Sequence, residues 1–199
     1  MTVRLAFFAS HNGSSAQAIT RACESGTLRA DPVLVISNNP DCPAFTWAKE
    51  HKIKTYCLNE KLCRTAENLD LQISHILNDH VIDMVICSGY MKLIGTKTIQ
   101  AVQGKIINVH PALLPRHGGR GMYGRKIHEA VIAERDTETG ITLHWVDTEY
   151  DHGHIIAQHH MSVDAHDTVE SIESRVKKAE PDFYIETLKK ILSEYSTAD

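Results

Sequence analysis

Three short segments of this 199-residue chain carry side chains that could do chemistry together. The run Ile106-Ile107-Asn108-Val109-His110-Pro111 places an amide and an imidazole two residues apart at the end of an apolar stretch. If that stretch is a strand, its period of two puts Asn108 and His110 on the same side. An amide N–H donor beside a group that holds or moves a proton suits attack on a carbonyl carbon, where negative charge grows on oxygen. The polar loop Asp147-Thr148-Glu149-Tyr150-Asp151-His152-Gly153 supplies carboxylates, of which Asp151 would favour the charged form of His110 if the loop folds back against the strand end. Near the start, Ser10-His11-Asn12-Gly13-Ser14-Ser15 precedes a helical pattern and would aim free backbone N–H groups and two hydroxyls at an anion. The same residues also serve as an ordinary turn and helix cap.

The elements needed to position these groups follow from hydropathy patterning. Short β-rich apolar runs, at Val3 to Phe8, Val33 to Ser37, Met84 to Cys87 and Lys105 to Val109, alternate with amphipathic helical stretches near Ser15 to Glu24, Pro43 to His51 and Ala66 to His80. Such alternation builds βαβ units and a parallel sheet. After Pro111 come a glycine-rich loop, a helix over Lys126 to Ala133, and two β-like runs, Ile141 to Val146 and His154 to His160, that suit an antiparallel addition. Thr168 to Ser196 reads as one or two helices, with Pro181 marking a kink or a fresh start. The expected fold is therefore a single α/β domain over 1–199. Its sheet is open, mostly parallel, twisted and Rossmann-like, with helices on both faces and an antiparallel C-terminal addition. Ligands in such a sheet gather beyond the carboxyl ends of the strands, where all three segments fall.

Composition narrows the function. A formal net charge of −4 gives no global basic field, so a small anion held by local groups is expected rather than nucleic acid. No run approaches a membrane span, and the five cysteines have no metal-finger spacing, so a cytoplasmic protein with reduced thiols is expected. A dinucleotide site is disfavoured, because no G-x-G-x-x-G is present and the second strand lacks an acid at its end. His144, His152, His154, His159, His160 and His166 crowd one region, but alternating strand histidines read as solvated groups, and no metal is expected.

Taken together, Asn108-Val109-His110-Pro111 with Leu113-Leu114-Pro115, Asp151-His152-Gly153 about forty residues later, and Asn12-Gly13-Ser14-Ser15 resemble the folate-dependent formyltransferases, over nearly the whole chain. The resemblance implies an enzyme that moves a formyl group from 10-formyltetrahydrofolate to an amine, with Asn108, His110 and Asp151 as its catalytic residues. Length and the first loop look most like the members that act on glycinamide ribonucleotide in purine biosynthesis. Asn12, Gly13, Ser14, Ser15, Lys177 and Glu180 then correspond to the phosphate and ribose site. Met91, Lys92, Leu93 and Ile94, together with Asn108 and Arg64, correspond to the folate site. The partners implied are small-molecule substrates, with no nucleic acid and no membrane, and a monomer or homodimer. A relative acting on a nucleotide-linked amino sugar would keep the same trio, and a folate- or nucleotide-binding homologue would not need it. The loop Arg116 to Gly124, and the histidines flanking Gly153, depart from the family's better-known members. Arg116, Arg120 and Arg125 read equally as a solvated face or as groups that steer the folate's carboxylate tail.

Overall fold

The computed structural model describes residues 2–196. Seven strands form one sheet in the order β3-β2-β1-β4-β5-β6-β7. They are β1 (Val3–Phe8), β2 (Ala30–Ser37), β3 (Lys54–Cys57), β4 (Met84–Cys87), β5 (Ile106–His110), β6 (Glu138–Trp145) and β7 (Ile155–Ser162). The first five run parallel, while β6 pairs antiparallel with β5 and with β7. The helices are α1 (Ser14–Glu24), α2 (Pro43–Glu50), α3 (Glu60–Cys63), α4 (Ala66–Asp79), α5 (Thr96–Ala101), α6 (Arg125–Ala133) and α7 (Val169–Ser196). This is the α/β sheet with an antiparallel addition that the patterning predicts.

Both faces of the parallel part are buried, as the unbroken apolar runs of β1 and β4 require. Leu5 and Phe7 of β1 pack with Ile19 of α1, Trp47 of α2 and Leu188 of α7 on one face. Ala6 and Phe8 pack with Cys63 of α3 and Leu77 of α4 on the other. A smaller cluster of Val131, Ile141, Ile172 and Val176 joins α6, β6 and α7.

Several elements differ from the sequence reading: the short helices α3 and α5 are additional, and β6 starts at Glu138 rather than Ile141. Strand β2 starts three residues earlier, at Ala30, and contains Pro32, which has no N–H for the ladder. The register shift between Leu5 and Ala6, opposite Pro32 and Leu34, absorbs it. The edge strand β3 is four residues long and mixed in polarity, too brief to show a period. Helix α7 runs unbroken through Pro181, although a proline inside a helix costs about 3 kcal/mol. Tyr184, Leu188, Ile191 and Leu192 form its buried stripe beyond the proline, and the Tyr184 hydroxyl donates to the Ile107 carbonyl at 3.0 Å. Tertiary packing thus holds both halves of α7 as one helix and ties it to β5 directly beneath Asn108.

Sheet order reverses direction at β1, which has β2 on one side and β4 on the other. The loops leaving β1 and β4 therefore part around a crevice, the place where open α/β sheets bind ligands. Ser10 and the segment after β4 are stitched together there, with Ser10 N–H bonded to the Gly89 carbonyl at 3.2 Å and Met91 N–H to Ser10 Oγ at 3.0 Å.

Candidate active site

A cavity of about 960 Å³ opens at this crevice and extends over the ends of β5 and β6. Its size falls within the range of small-molecule sites.

Asn108 and His110 both reach the cavity from β5, as strand periodicity predicts. The antiparallel register sets His144 of β6 opposite Asn108, and Thr142 opposite His110. His144 is buried, its Nδ1 lying 2.9 Å from the Trp145 carbonyl and its Nε2 3.1 Å from Asn108 Nδ2. With Nδ1–H donating to the carbonyl, Nε2 accepts from the Asn108 amide, which fixes that amide's orientation. Thr142 works on the loop after β5. Its hydroxyl donates to the Ala112 carbonyl at 2.6 Å and accepts from Leu114 N–H at 3.0 Å, while Gln158 of β7 donates to the Leu114 carbonyl.

The loop between β6 and β7 folds back over the strand ends and brings Asp151 between the two histidines. Asp151 Oδ2 lies 3.4 Å from His110 Nδ1, and Oδ1 lies 3.6 Å from His144 Nε2. Gly119 N–H adds a hydrogen bond to Oδ2 at 3.0 Å. Burial alone would push the Asp151 carboxyl up. The His110 and His144 rings beside it, the charge of His110 and the Gly119 N–H outweigh it, and hold the acid well below the usual carboxylate range. Asp151 sits at φ 55, a left-handed conformation that costs energy outside glycine and recurs where a side chain must be aimed. Gly153 makes the backfold feasible, since a Cβ there would stand 1.8 Å from the Trp145 carbonyl oxygen.

His110 itself is almost wholly enclosed. Its Nε2 lies 2.8 Å from the His117 carbonyl, an acceptor only, so this nitrogen carries a proton. Nδ1 faces the Asp151 carboxylate, another acceptor. Each nitrogen of the ring thus faces an acceptor.

At the far end of the cavity Gly13 caps α1 at φ 63 without a side-chain cap; Ala16 N–H donates to Ser88 Oγ at 3.1 Å, which leaves the N–H groups of Ser14 and Ser15 for a ligand. Asn12, Gly13, Ser14 and Ser15 line this end with Lys177 and Glu180 of α7. Ser15 Oγ donates to Glu180 at 2.5 Å. Burial raises the Glu180 carboxyl above the ordinary range, against the lowering effects of Ser15 and Lys177. Lys177 pairs with Glu173 at 2.6 Å and is largely exposed. Met91, Lys92, Leu93 and Ile94 also line the cavity.

Arg64 is not among the lining residues; it closes α3 at φ 73 and is exposed. Of the three arginines around the glycine-rich loop, Arg116 pairs with Asp136, and Arg125 with Glu129 and Glu170. Arg120 lines the cavity. Sequence reasoning missed His144 as a site residue and also missed His128, whose buried Nδ1 has no partner. Burial lowers the His128 pKa, with the Glu173 charge opposing. The pairing of an Asn-x-His strand with a Thr-x-His strand was the available signal for His144. Apart from His144, the crowded histidines diverge: His152 pairs with Asp147, His160 with Glu138, and His159 stacks near Phe183. Among the described residues, His117, Glu134 and Asp136 are the trio whose ligand atoms lie within 4.8 Å of one another, and Arg116 already engages Asp136.

The model of the formyl transferase family matches residues 3–188. The chain belongs to this family. Among curated members it is 35% identical to the chloroplastic phosphoribosylglycinamide formyltransferase of Arabidopsis thaliana, over 96% of this chain and 66% of that protein. It is 34% identical to the Bacillus subtilis phosphoribosylglycinamide formyltransferase, over 95% of this chain and 94% of that one. The chain thus spans just under two thirds of the plant family member and nearly all of the bacterial one. Among solved members it is similar to the phosphoribosylglycinamide formyltransferase of Bacillus halodurans, with a TM-score of 0.88 at 33% identity and 96% of each chain covered.

Proposed function

We propose that the chain transfers the formyl group of 10-formyltetrahydrofolate to the amine of glycinamide ribonucleotide. One observation carries the reading: a cavity with an ionised carboxylate beside a doubly donating histidine, an oriented amide next to them, and an uncapped helix N-terminus at its far end. The names of the relatives point to the same reaction.

In this reading the phosphate takes the free N–H groups of α1 and Lys177, whose exposed pair with Glu173 is weak enough to be exchanged for an anion. Glu180, a buried carboxyl, suits the ribose hydroxyls rather than the phosphate. Met91, Leu93 and Ile94 offer an apolar wall and backbone groups to the pterin, and Lys92 and Arg120 face the folate's carboxylate tail. Attack of the amine on the formyl carbon places negative charge on the formyl oxygen; collapse of this intermediate breaks the bond from the formyl carbon to the folate nitrogen, and the proton lost by the amine ends on that nitrogen, giving tetrahydrofolate and the N-formyl product. Asn108 Nδ2 and the His110 imidazolium stabilise that charge, each preorganised donor contributing about 10²–10³ in kcat. At 3.4 Å from Asp151, an ion-pair distance rather than a hydrogen bond, the Nδ1 side of the ring can reach the formyl oxygen while Nε2 stays on the His117 carbonyl. Asp151 keeps His110 charged, and the substrates are small molecules throughout.

The experiment is to supply purified protein with 10-formyltetrahydrofolate and glycinamide ribonucleotide and identify the product by mass. N-formylation of the ribonucleotide supports the reading. Formylation of an amino-sugar nucleotide alone would replace the substrate and keep the trio, and tight folate binding without transfer to either amine would make the chain a binding protein.

A further inference from the structure

The turn that follows the β5 loop touches both members of the His110–Asp151 pair. The His117 carbonyl accepts from His110 Nε2 at 2.8 Å, and Gly119 N–H donates to Asp151 Oδ2 at 3.0 Å. These are backbone groups, so the geometry of the pair depends on what fixes the turn. His117 has φ 54, which a non-glycine residue does not adopt at no cost. Its own ring supplies the compensation. His117 Nε2 lies 2.6 Å from Asp136 Oδ2, just beyond α6, and both side chains are buried, at 6% and 4% exposure. Arg116 engages the other Asp136 oxygen, and Glu134 stands 3.9 Å from His117 Nδ1. An arginine, a histidine and two acids thus clamp the turn from the side away from the cavity.

We propose that the His117–Asp136 ion pair positions the catalytic histidine: by pinning the His117 carbonyl against His110 Nε2, it holds the ring doubly donating, with Nδ1 toward Asp151. His117 touches no reacting atom, and its ring acts only through its own backbone. The acceptor stabilises the imidazolium over the neutral ring, so losing it lowers the pH at which His110 gives up its proton. The groups facing His110 are Asp151 and the His117 carbonyl, with His128, whose pKa the His110 charge helps to lower, and with His144 reaching it through Asp151. Those facing His117 are Asp136, Glu134 and, through Asp136, Arg116. The proposal rests on His110 being the proton-bearing group of the proposed formyl transfer.

Two variants test it: His117→Asn, because asparagine tolerates the left-handed conformation, and the double variant His117→Asn with Asp136→Asn, which leaves no buried carboxylate without its histidine. Each is assayed for kcat and both KM values across pH, and its His110 ring nitrogens are followed by ¹⁵N NMR. The expected result is a kcat lower by about 10- to 100-fold with both KM values nearly unchanged, as for a misplaced group that acts in the transition state. The alkaline limb of the pH profile moves to lower pH, and His110 titrates earlier in the NMR spectra. Folded variants with wild-type kcat, or with reduced kcat but an unmoved alkaline limb and unmoved ring signals, would overturn it. Should the wild type transfer no formyl group, the functional reading fails, while the ring titration still decides whether His117 positions His110.

Discussion

Asp151 Oδ2 stands 3.4 Å from His110 Nδ1, with the two side chains 11% and 4% exposed. A carboxylate so enclosed keeps its charge only because the histidines and the Gly119 N–H face it, and its own charge lies against the His110 ring in return. This reciprocity makes Asp151 the most informative residue to alter.

Asp151→Asn keeps the shape and removes the charge. Turnover should fall on the order of 10²-fold or more, with smaller changes in KM. The lowered pKa of Asp151 also links to stability. Its contribution is complete above the unfolded carboxyl value of about 4 and is lost as pH falls toward the lower folded value. Urea unfolding should therefore show a wild-type advantage over Asp151→Asn that is full at pH 7 and shrinks below about pH 4.

His144→Phe tests the orientation of Asn108. Phenylalanine fills the ring volume but leaves the Asn108 amide without its acceptor, 3.1 Å away in the wild type. Turnover should fall about tenfold, and stability by about 1–3 kcal/mol, the cost of stranding a buried polar group. Steady-state kinetics and urea titration on the same preparation check both.

How far the chain discloses this site in advance depends on what each residue's place rests on. Asn108 and His110 are legible because strand periodicity is local, and one apolar run fixes their common face. Asp151 is legible only through resemblance, since nothing in Asp147 to Gly153 says that the loop folds back; that depends on the close approach of Gly153 to Trp145. His144 hides among other histidines until the β5–β6 register sets it opposite Asn108. The same limit applies to the arginines, which sequence leaves equivalent and which Asp136 and Glu170 then separate. In the fold, the long amphipathic helices and central strands are readable, whereas β3 and α5 are too short for a period. Helix α7 survives its proline through contacts that lie far away in sequence.

Lys177→Ala probes the anion end. Lys177 is exposed, and its half-buried partner Glu173 keeps Arg125 nearby at 3.8 Å, so removing Lys177 should leave stability nearly unchanged. The KM for glycinamide ribonucleotide should rise about tenfold or more as a charge-assisted contact is lost, with kcat and the folate KM little altered. Initial rates with each substrate varied in turn separate these effects.

The measurement that bears most directly on the account is amine-dependent release of tetrahydrofolate by the wild-type protein, followed by absorbance, with His110→Ala in parallel. The account predicts release only when glycinamide ribonucleotide is present, in step with its N-formylation, and a rate lowered by at least about 10²-fold in His110→Ala. Release that ignores the amine, or a His110→Ala rate equal to wild type, would contradict it.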